Sequence, residues 1–222
     1  MQGSPDLQPL AQKLVIYGTR GFARELHQIV EDIAADGTAL TCLGFLVDRE
    51  FREDDVVHDL PVFGDADWLG GAPDVLVTIG IGATRPRRRI ACDIERRFGA
   101  RFVVLRHPLA RVGKRVTIGP GSNLCVGAHV ATDVAIGRHV QLHVGSTVGH
   151  ASAIGDFVSV FPGANVASEV TIGEGSFVGA GAAILPGVKI GTWVRVGAGA
   201  VVTADVPAGA TVVGVPARVV SA

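Results

Sequence analysis

The sequence predicts two units in one chain, an α/β unit followed by a parallel β-helix. Three observations predict them. From Val112 to Val202 an aliphatic residue returns at every sixth position without a miss, through Ile118, Leu124, Val130, Ile136, Leu142, Val148 and onward. The pairs Ile118-Gly119, Ile136-Gly137, Ile154-Gly155, Ile172-Gly173 and Ile190-Gly191 recur every 18 residues, so three hexads make one coil. Helix-forming segments are confined to the part before residue 100. A period of six fits neither an amphipathic helix nor a hairpin meander, but it fits short strands stacked coil upon coil, each burying its aliphatics against its neighbours. The positions two residues before each member, such as Ser122, Ala128, Val134 and Ser146, are small or β-branched, which suits a narrow interior. The recurrent Gly suits a corner where the chain turns sharply or takes positive φ.

Composition bounds the rest. The chain has 222 residues, a net charge of -1, 30 glycines and three cysteines. That charge predicts no nucleic-acid partner. No apolar run is long enough for a membrane span, and the first residues lack a basic-then-apolar signal pattern, so membrane insertion is not expected and a cytoplasmic location is. Cys42, Cys92 and Cys125 lie far apart without a CxxC, and are read as buried small hydrophobes.

Taken in order, residues 1–12 read as a tail. Leu14-Val15-Ile16-Tyr17 is a strand that runs into Gly18-Thr19-Arg20-Gly21 and a helix from Phe22 to Ala35. Strand, glycine turn and helix form the opening of a Rossmann-like unit, in which helix N-terminal N–H groups can face a phosphate. The next strand, Cys42 to Val47, ends at Asp48, where an acidic residue can hold a ribose or base. A dehydrogenase fingerprint would want Gly where Arg20 stands, and only half of a dinucleotide fold fits, so a nicotinamide enzyme is disfavoured. The plainer reading is a glycine turn that packs helix on strand. A third strand, Asp74 to Ile79, ends in Gly80-Ile81-Gly82, and a basic helix follows with Arg85, Arg87, Arg88 and Arg89. These arginines can clamp a diphosphate by bidentate hydrogen bonds, or form a solvated face. A last strand, Arg101 to Leu105, leads to His107-Pro108, which sets the unit at 13–108, the β-helix at 109–204 and a C-terminal tail at 205–222.

The order GTRGFARE, GFLVD, LPVFGD, TIGIG with arginines, RHP, hexapeptides and the tail VVGVPAR resembles the PglD-like and sialic-acid O-acetyltransferase group of hexapeptide acyltransferases over almost the whole chain. The resemblance implies a left-handed β-helix, a homotrimer whose sites lie at subunit boundaries, acetyl-CoA as cosubstrate, and a nucleotide-linked amino-deoxysugar as acceptor. It matches His150, four residues before Ile154-Gly155, to the general base; histidine is the natural base near neutral pH. Relatives flank this histidine with carboxylates, where this chain has Gly149 and Ala151. His143 stands where relatives often carry Asn, and is read either as a substrate contact in the same cleft or as a coil-edge residue. His129 and His139 are read as surface residues. The nucleotide would be held by Gly18, Arg20, Gly21, Asp48, Gly82 and Arg87. By the same resemblance, acetyl-CoA would contact Ser159, Ser168, Ala180, Ala198, Gly214 and Pro216. A sugar hydroxyl acceptor and a non-catalytic binding scaffold are the alternatives. A γ-class carbonic anhydrase reading fails on histidine spacing, so no metal is expected.

Overall fold

The computed structural model describes residues 12–221; the tail expected at 1–12 otherwise lies outside them, and Gln12 already belongs to a strand. The first unit is a sheet of β1 (Gln12–Tyr17), β2 (Leu40–Leu46), β3 (Val56–Val57), β4 (Leu60–Gly64) and β5 (Leu76–Ile79), with α1 (Gly21–Ala35) and α2 (Thr84–Phe98). The strand order is β3-β4-β2-β1-β5. β1 pairs in parallel with β2 and with β5, and β3 closes the far edge antiparallel to β4. The chain therefore leaves β1 towards one side and returns on the other, which makes the carboxyl ends of β1, β2 and β5 a topological switch point.

Both helices bury one stripe at helical spacing. In α1 the stripe is Ala23, Leu26, His27, Ile29 and Val30. In α2 it is Arg87, Ile90, Ala91 and Ile94, so an arginine occupies a core position. Gly80, at the end of β5, has no room for a side chain, because a Cβ there would overlap Ala23 at the start of α1. The glycine turn thus presses helix on strand, and it also shapes the cavity above them.

From Leu105 the chain winds into a triangular prism of three parallel sheets. The first face stacks 111–112, 129–130, 147–148, 165–166, 183–184 and 201–202. The second stacks 117–118, 135–136, 153–154, 171–172 and 189–190. The third stacks 105–106, 123–124, 141–142, 159–160, 177–178, 195–196 and 211–213, and ends in an antiparallel strand, Arg218–Ser221. The ladder thus begins before residue 109 and continues past residue 204, because Leu105 pairs with Asn123 and Thr211 with Arg195. The expected strand at 101–105 is reduced to a single bridge between Val77 and Phe102.

The register is in phase by 18 residues from Leu105 to Val202, as in Gln141 opposite Ser159 and Thr147 opposite Asn165, and shortens to 16 at the last coil, where Arg195 faces Thr211. The aliphatic ladder fills the interior: Leu124, Val130, Leu142, Val160, Val178 and Val196 are all fully buried. Each such side chain contributes about 1.5–3 kcal/mol on burial. The Gly of each Ile-Gly pair is not at positive φ; a Cβ on Gly119, Gly137 or Gly173 would instead strike the backbone of the next coil. Positive φ falls two residues later, at Gly121, His139, Phe157, Gly175 and Trp193, which form the second corner, between the second and third faces. Arg115, Asp133, Ala151, Glu169 and Gly187 do the same at the first corner, between the first and second faces.

The α/β unit sits on the third face. Outward residues of that face that would otherwise meet water, Asn123, Gln141 and Ser159, are fully buried beneath it. Thr78 Oγ1 donates to Asn123 Oδ1 at 3.0 Å, and Gln141 Nε2 donates to the carbonyls of Ile79 and Ile81. His107 and Asp32 pair at 3.0 Å, and Arg138 forms a two-pronged pair with Glu95 at 3.2 Å. Cys42 and Cys125 are buried, whereas Cys92 is exposed on α2, contrary to its expected burial.

Candidate functional site

The switch-point crevice is a cavity of about 380 Å³ lined by Gly18, Thr19, Arg20, Phe22, Asp48, Phe51, Gly80, Ile81, Gly82 and Arg89. Gly18, Arg20, Asp48 and Gly82 are brought together in one crevice, and Gly21 opens the helix beside them. Arg20 occupies the N-cap position of α1 but gives no side-chain cap. The first-turn N–H groups stay uncapped at the positive end of the helix, which suits an anion. Arg20 itself is exposed and pairs with Glu53. Asp48 accepts a hydrogen bond from the Tyr17 phenol, whose pKa burial pushes up, with Asp48 adding to the shift. A larger recess of about 590 Å³ adjoins through Tyr17, Asp48 and Arg89, and carries Glu50, Asp65, Asp67 and Asp93 against Arg49 and Arg97. Its acidic lining suits hydroxyls and ring nitrogens better than phosphates.

Arg87 departs from expectation. It is 1% exposed and points away from the cavity. Its Nη1 donates to Ile81 O at 2.9 Å, Gly82 O at 3.0 Å and Gln141 Oε1 at 2.7 Å. Its Nη2 donates to Phe157 O at 2.8 Å and Ser159 Oγ at 2.9 Å. Burial pushes its pKa down to about 9, so it stays charged at neutral pH, solvated by carbonyl dipoles in place of water. Arg87 pins the Gly80-Gly82 turn to the prism. Arg89 is the arginine of this helix that faces the cavity, and sequence reasoning gave it no special place. The signal was available: Arg87, Ile90, Ala91 and Ile94 share one helical stripe, and Arg89 lies off it.

Ser159 also departs from expectation, being fully buried beneath the α/β unit and bonded to Arg87. His143 is buried between Phe22 and Phe161, with ring centroids 4.5 Å from each, and its Nε2 has no partner. Burial holds its pKa down at about 4. It does not share a cleft with His150. His139 is not a surface residue: it is 1% exposed, stacked on Phe157 at 5.0 Å and edge-on to Phe102 at 4.5 Å, with its pKa held down at about 3 by burial. His129 is exposed.

His150 is exposed at the first corner. The 18-residue register places Thr132 above it and Ser168 below. Asp133 stands one residue further along on the coil before, where the Ala151 N–H reaches Thr132 O at 3.2 Å. Glu169 stands at the same place on the coil after, its N–H donating to His150 O at 2.8 Å. Two residues with carboxyl groups, Asp133 and Glu169, thus stand at this corner on the neighbouring coils, with the Asp133 carboxyl engaged by Arg115 and Thr132. The Arg115 guanidinium, bonded to Asp133 at 2.5 Å, holds that carboxyl below the usual carboxylate range; Thr132 and the charge of His150 contribute further.

The corner between the first and second faces lies opposite the third face, which carries the α/β unit. His150 and the nucleotide-sized cavity of one chain are therefore on opposite sides of the prism. Ala180 and Ala198 lie exposed at the third corner, away from Ser168, and Gly214 and Pro216 lie exposed beside the last strand of the first face, where the Val201 N–H meets Gly214 O at 3.0 Å. Among the described residues no group of three or more His, Cys, Asp or Glu side chains is placed to hold a metal ion, and no helix is long and apolar enough to cross a membrane.

Comparison with known proteins gives these features a family. Residues 13–94 match the PglD N-terminal domain and residues 170–204 the bacterial transferase hexapeptide repeat. The acetyltransferase domain of PglB from Neisseria gonorrhoeae FA1090 is 32% identical, with 94% of this chain and 100% of that one covered, at a TM-score of 0.85. The chain belongs to the PglD-like family of hexapeptide-repeat sugar N-acetyltransferases. PglD-like relatives of known structure include PerB from Caulobacter crescentus in complex with CoA and GDP-perosamine, 30% identical over 96% of this chain and 99% of that one, at a TM-score of 0.84. A histidine-to-asparagine variant of perosamine N-acetyltransferase from the same organism, also with CoA and GDP-perosamine, is 28% identical over 96% of this chain and 99% of that one, at a TM-score of 0.84. The left-handed prism is shared with these PglD-like proteins. No curated protein matches the chain.

Proposed function

We propose that the chain is an acetyl-CoA-dependent N-acetyltransferase acting on the amino group of a nucleotide-linked amino-deoxysugar, as a homotrimer with shared sites. One observation carries the shared site: the cavity at the switch point and the exposed His150 lie on opposite sides of one prism, so neither finds its counterpart within the chain. A neighbouring chain supplies it. The uncapped start of α1, with Arg20 and Arg89, would hold the diphosphate, and Asp48 the ribose or base. The groove between two prisms would take acetyl-CoA, with Ser168 from the first corner of one chain and Ala180 and Ala198 from the third corner of the next. The structures of relatives with CoA and GDP-perosamine support both ligand classes.

In the reaction the sugar amine attacks the thioester carbonyl, forming the C–N bond, while His150 takes the amine proton. A backbone N–H stabilises the oxyanion. Collapse breaks the C–S bond, and the thiolate leaves with the proton that His150 returns to it, which restores the neutral imidazole. Asp133 and Glu169 at the same corner would favour the imidazolium that forms on the way.

The test is thiol release from acetyl-CoA across 4-amino and 3-amino sugar nucleotides. Turnover on an amino sugar that falls about 10²-fold or more in His150→Ala supports the reading. Turnover confined to sugar hydroxyls, or none at all, overturns it.

A further inference from the structure

A second recess, of about 430 Å³, lies between α2 and the second corner of the prism, lined by Arg85, Arg88, Arg89, Arg96, Asp93 and Trp193. The balance of charge there is one-sided. Asp93 is the acid in the lining, and Arg96 and Arg97 hold it at 2.6 and 3.1 Å. Arg88 is paired with Glu174 at 2.7 Å. Among the described residues Arg85 and Arg89 have no ion pair.

This charge is also held where the fold makes it unfavourable. α2 carries no acidic residue in its first turn, and Arg85, Arg87, Arg88 and Arg89 crowd its positive end. Cations at a helix N-terminus oppose the macrodipole, and like charges one turn apart repel. A bound anion relieves both.

The recess is also preorganised. The Arg85 guanidinium lies on the Trp193 ring at 4.6 Å, and that of Arg88 at 6.0 Å. Trp193 sits at φ 59°, a conformation that bulky side chains seldom adopt. Its ring lies over Gly175, where any Cβ would overlap the indole. Glycine one coil back makes the space, and the indole fixes the arginine that faces the recess.

We propose that this recess is a second anion site, specific for a phosphoryl group, with Arg85 and Arg88 as its principal donors. A tetrahedral phosphoryl group offers oxygens to more than one guanidinium fork at once, which a single carboxylate does less well. The phosphoryl group is either free phosphate or the terminal phosphate of a nucleotide. The site adjoins the nucleotide cavity at Arg89, which lines both.

The test uses the full chain with Trp68→Phe, leaving Trp193 as the only indole reporter. Inorganic phosphate, pyrophosphate and ADP are titrated at constant ionic strength, with chloride as the control. Saturable change in Trp193 emission is expected, weakened about tenfold or more by Arg85→Gln and by Arg88→Gln, in variants whose melting temperature is unchanged. Gly82→Leu, which fills the nucleotide cavity, should leave the signal in place. A response to phosphate and pyrophosphate identifies a free anion as the ligand; a response to ADP alone identifies a nucleotide. The proposal is overturned by no saturable change, by a change that chloride reproduces or Arg85→Gln leaves intact, or by loss of the signal in Gly82→Leu.

Discussion

Replacing Arg87 by Met removes the donor that joins the two units while keeping an unbranched apolar stem. Six acceptors lose a donor: the carbonyls of Ile81, Gly82, Phe157 and Val158, Gln141 Oε1 and Ser159 Oγ, of which Ile81, Gly82 and Val158 keep another. A stranded buried acceptor costs about 1–3 kcal/mol, and the lower part of that range applies where a carbonyl keeps another bond. Against this, the variant no longer buries a charge, and the depression of the Arg87 pKa from 12.5 to about 9 puts that relief at roughly 4–5 kcal/mol. With the lower part of that range, about 1–2 kcal/mol for each acceptor, the balance is a net loss of a few kcal/mol, or roughly 10 °C in melting temperature for a chain of this size. Arg87→Lys, with three donors and no fork, should fall between the two. Thermal unfolding gives the first readout, and proteolysis at the Gly80-Gly82 turn the second. If Arg87→Met melts within about 2 °C of the native chain and instead raises KM for the nucleotide sugar, the seam role is wrong and Arg87 belongs to the binding site.

The buried histidines set an acid limit on stability. His143 and His139 have folded pKa values of about 4 and about 3, below the unfolded value of 6.5. Between those values the unfolded chain binds protons that the folded chain does not, so their contribution is complete above pH 6.5 and is lost as pH falls towards 4. For His143 the loss is at most about 3 kcal/mol. Denaturation midpoints followed between pH 7 and pH 4 should fall less steeply in His143→Asn, and an unchanged slope would contradict the assignment. His150→Ala should lower kcat by about 10²–10⁴-fold while leaving the binding of CoA within about twofold; equal losses in both would make His150 a binding residue. Gly175→Val should cost about 1–3 kcal/mol or more through positive φ and overlap with Trp193, measured as a drop in melting temperature.

Much of this architecture was legible because the β-helix writes its geometry in the sequence. The six-residue ladder named the buried side chains, and the 18-residue period fixed which residues stack. That same period places Asp133 and Glu169 on either side of Ala151, at the corner that carries His150, although reading along the chain showed only Gly149 and Ala151 beside it. The seam between the units was not legible. Asn123, Gln141 and Ser159 hold outward hexad positions and are polar, as solvent-facing residues are, and local pattern carries no record of a domain laid over them. His139 was misplaced for the same reason, since its corner is covered by Phe102 and Phe157. Arg87 was legible in part: four arginines at the start of one helix look alike by composition, and only the stripe with Ile90, Ala91 and Ile94 sets one apart.

The central claim, a site completed by a second chain, is tested most directly by mixing two inactive variants. His150→Ala keeps the switch-point cavity and removes the proposed base. Gly82→Leu keeps the proposed base and puts a bulky side chain into the cavity lining, with space for it because the nearest atom to its Cβ is 3.9 Å away, on Phe161. The two chains carry different affinity tags, so that mixed oligomers are isolated after co-expression. Mixed oligomers that regain acetyl transfer, while each variant alone stays inactive, are the predicted result. Mixed oligomers that remain as inactive as their parents would contradict a site shared between chains.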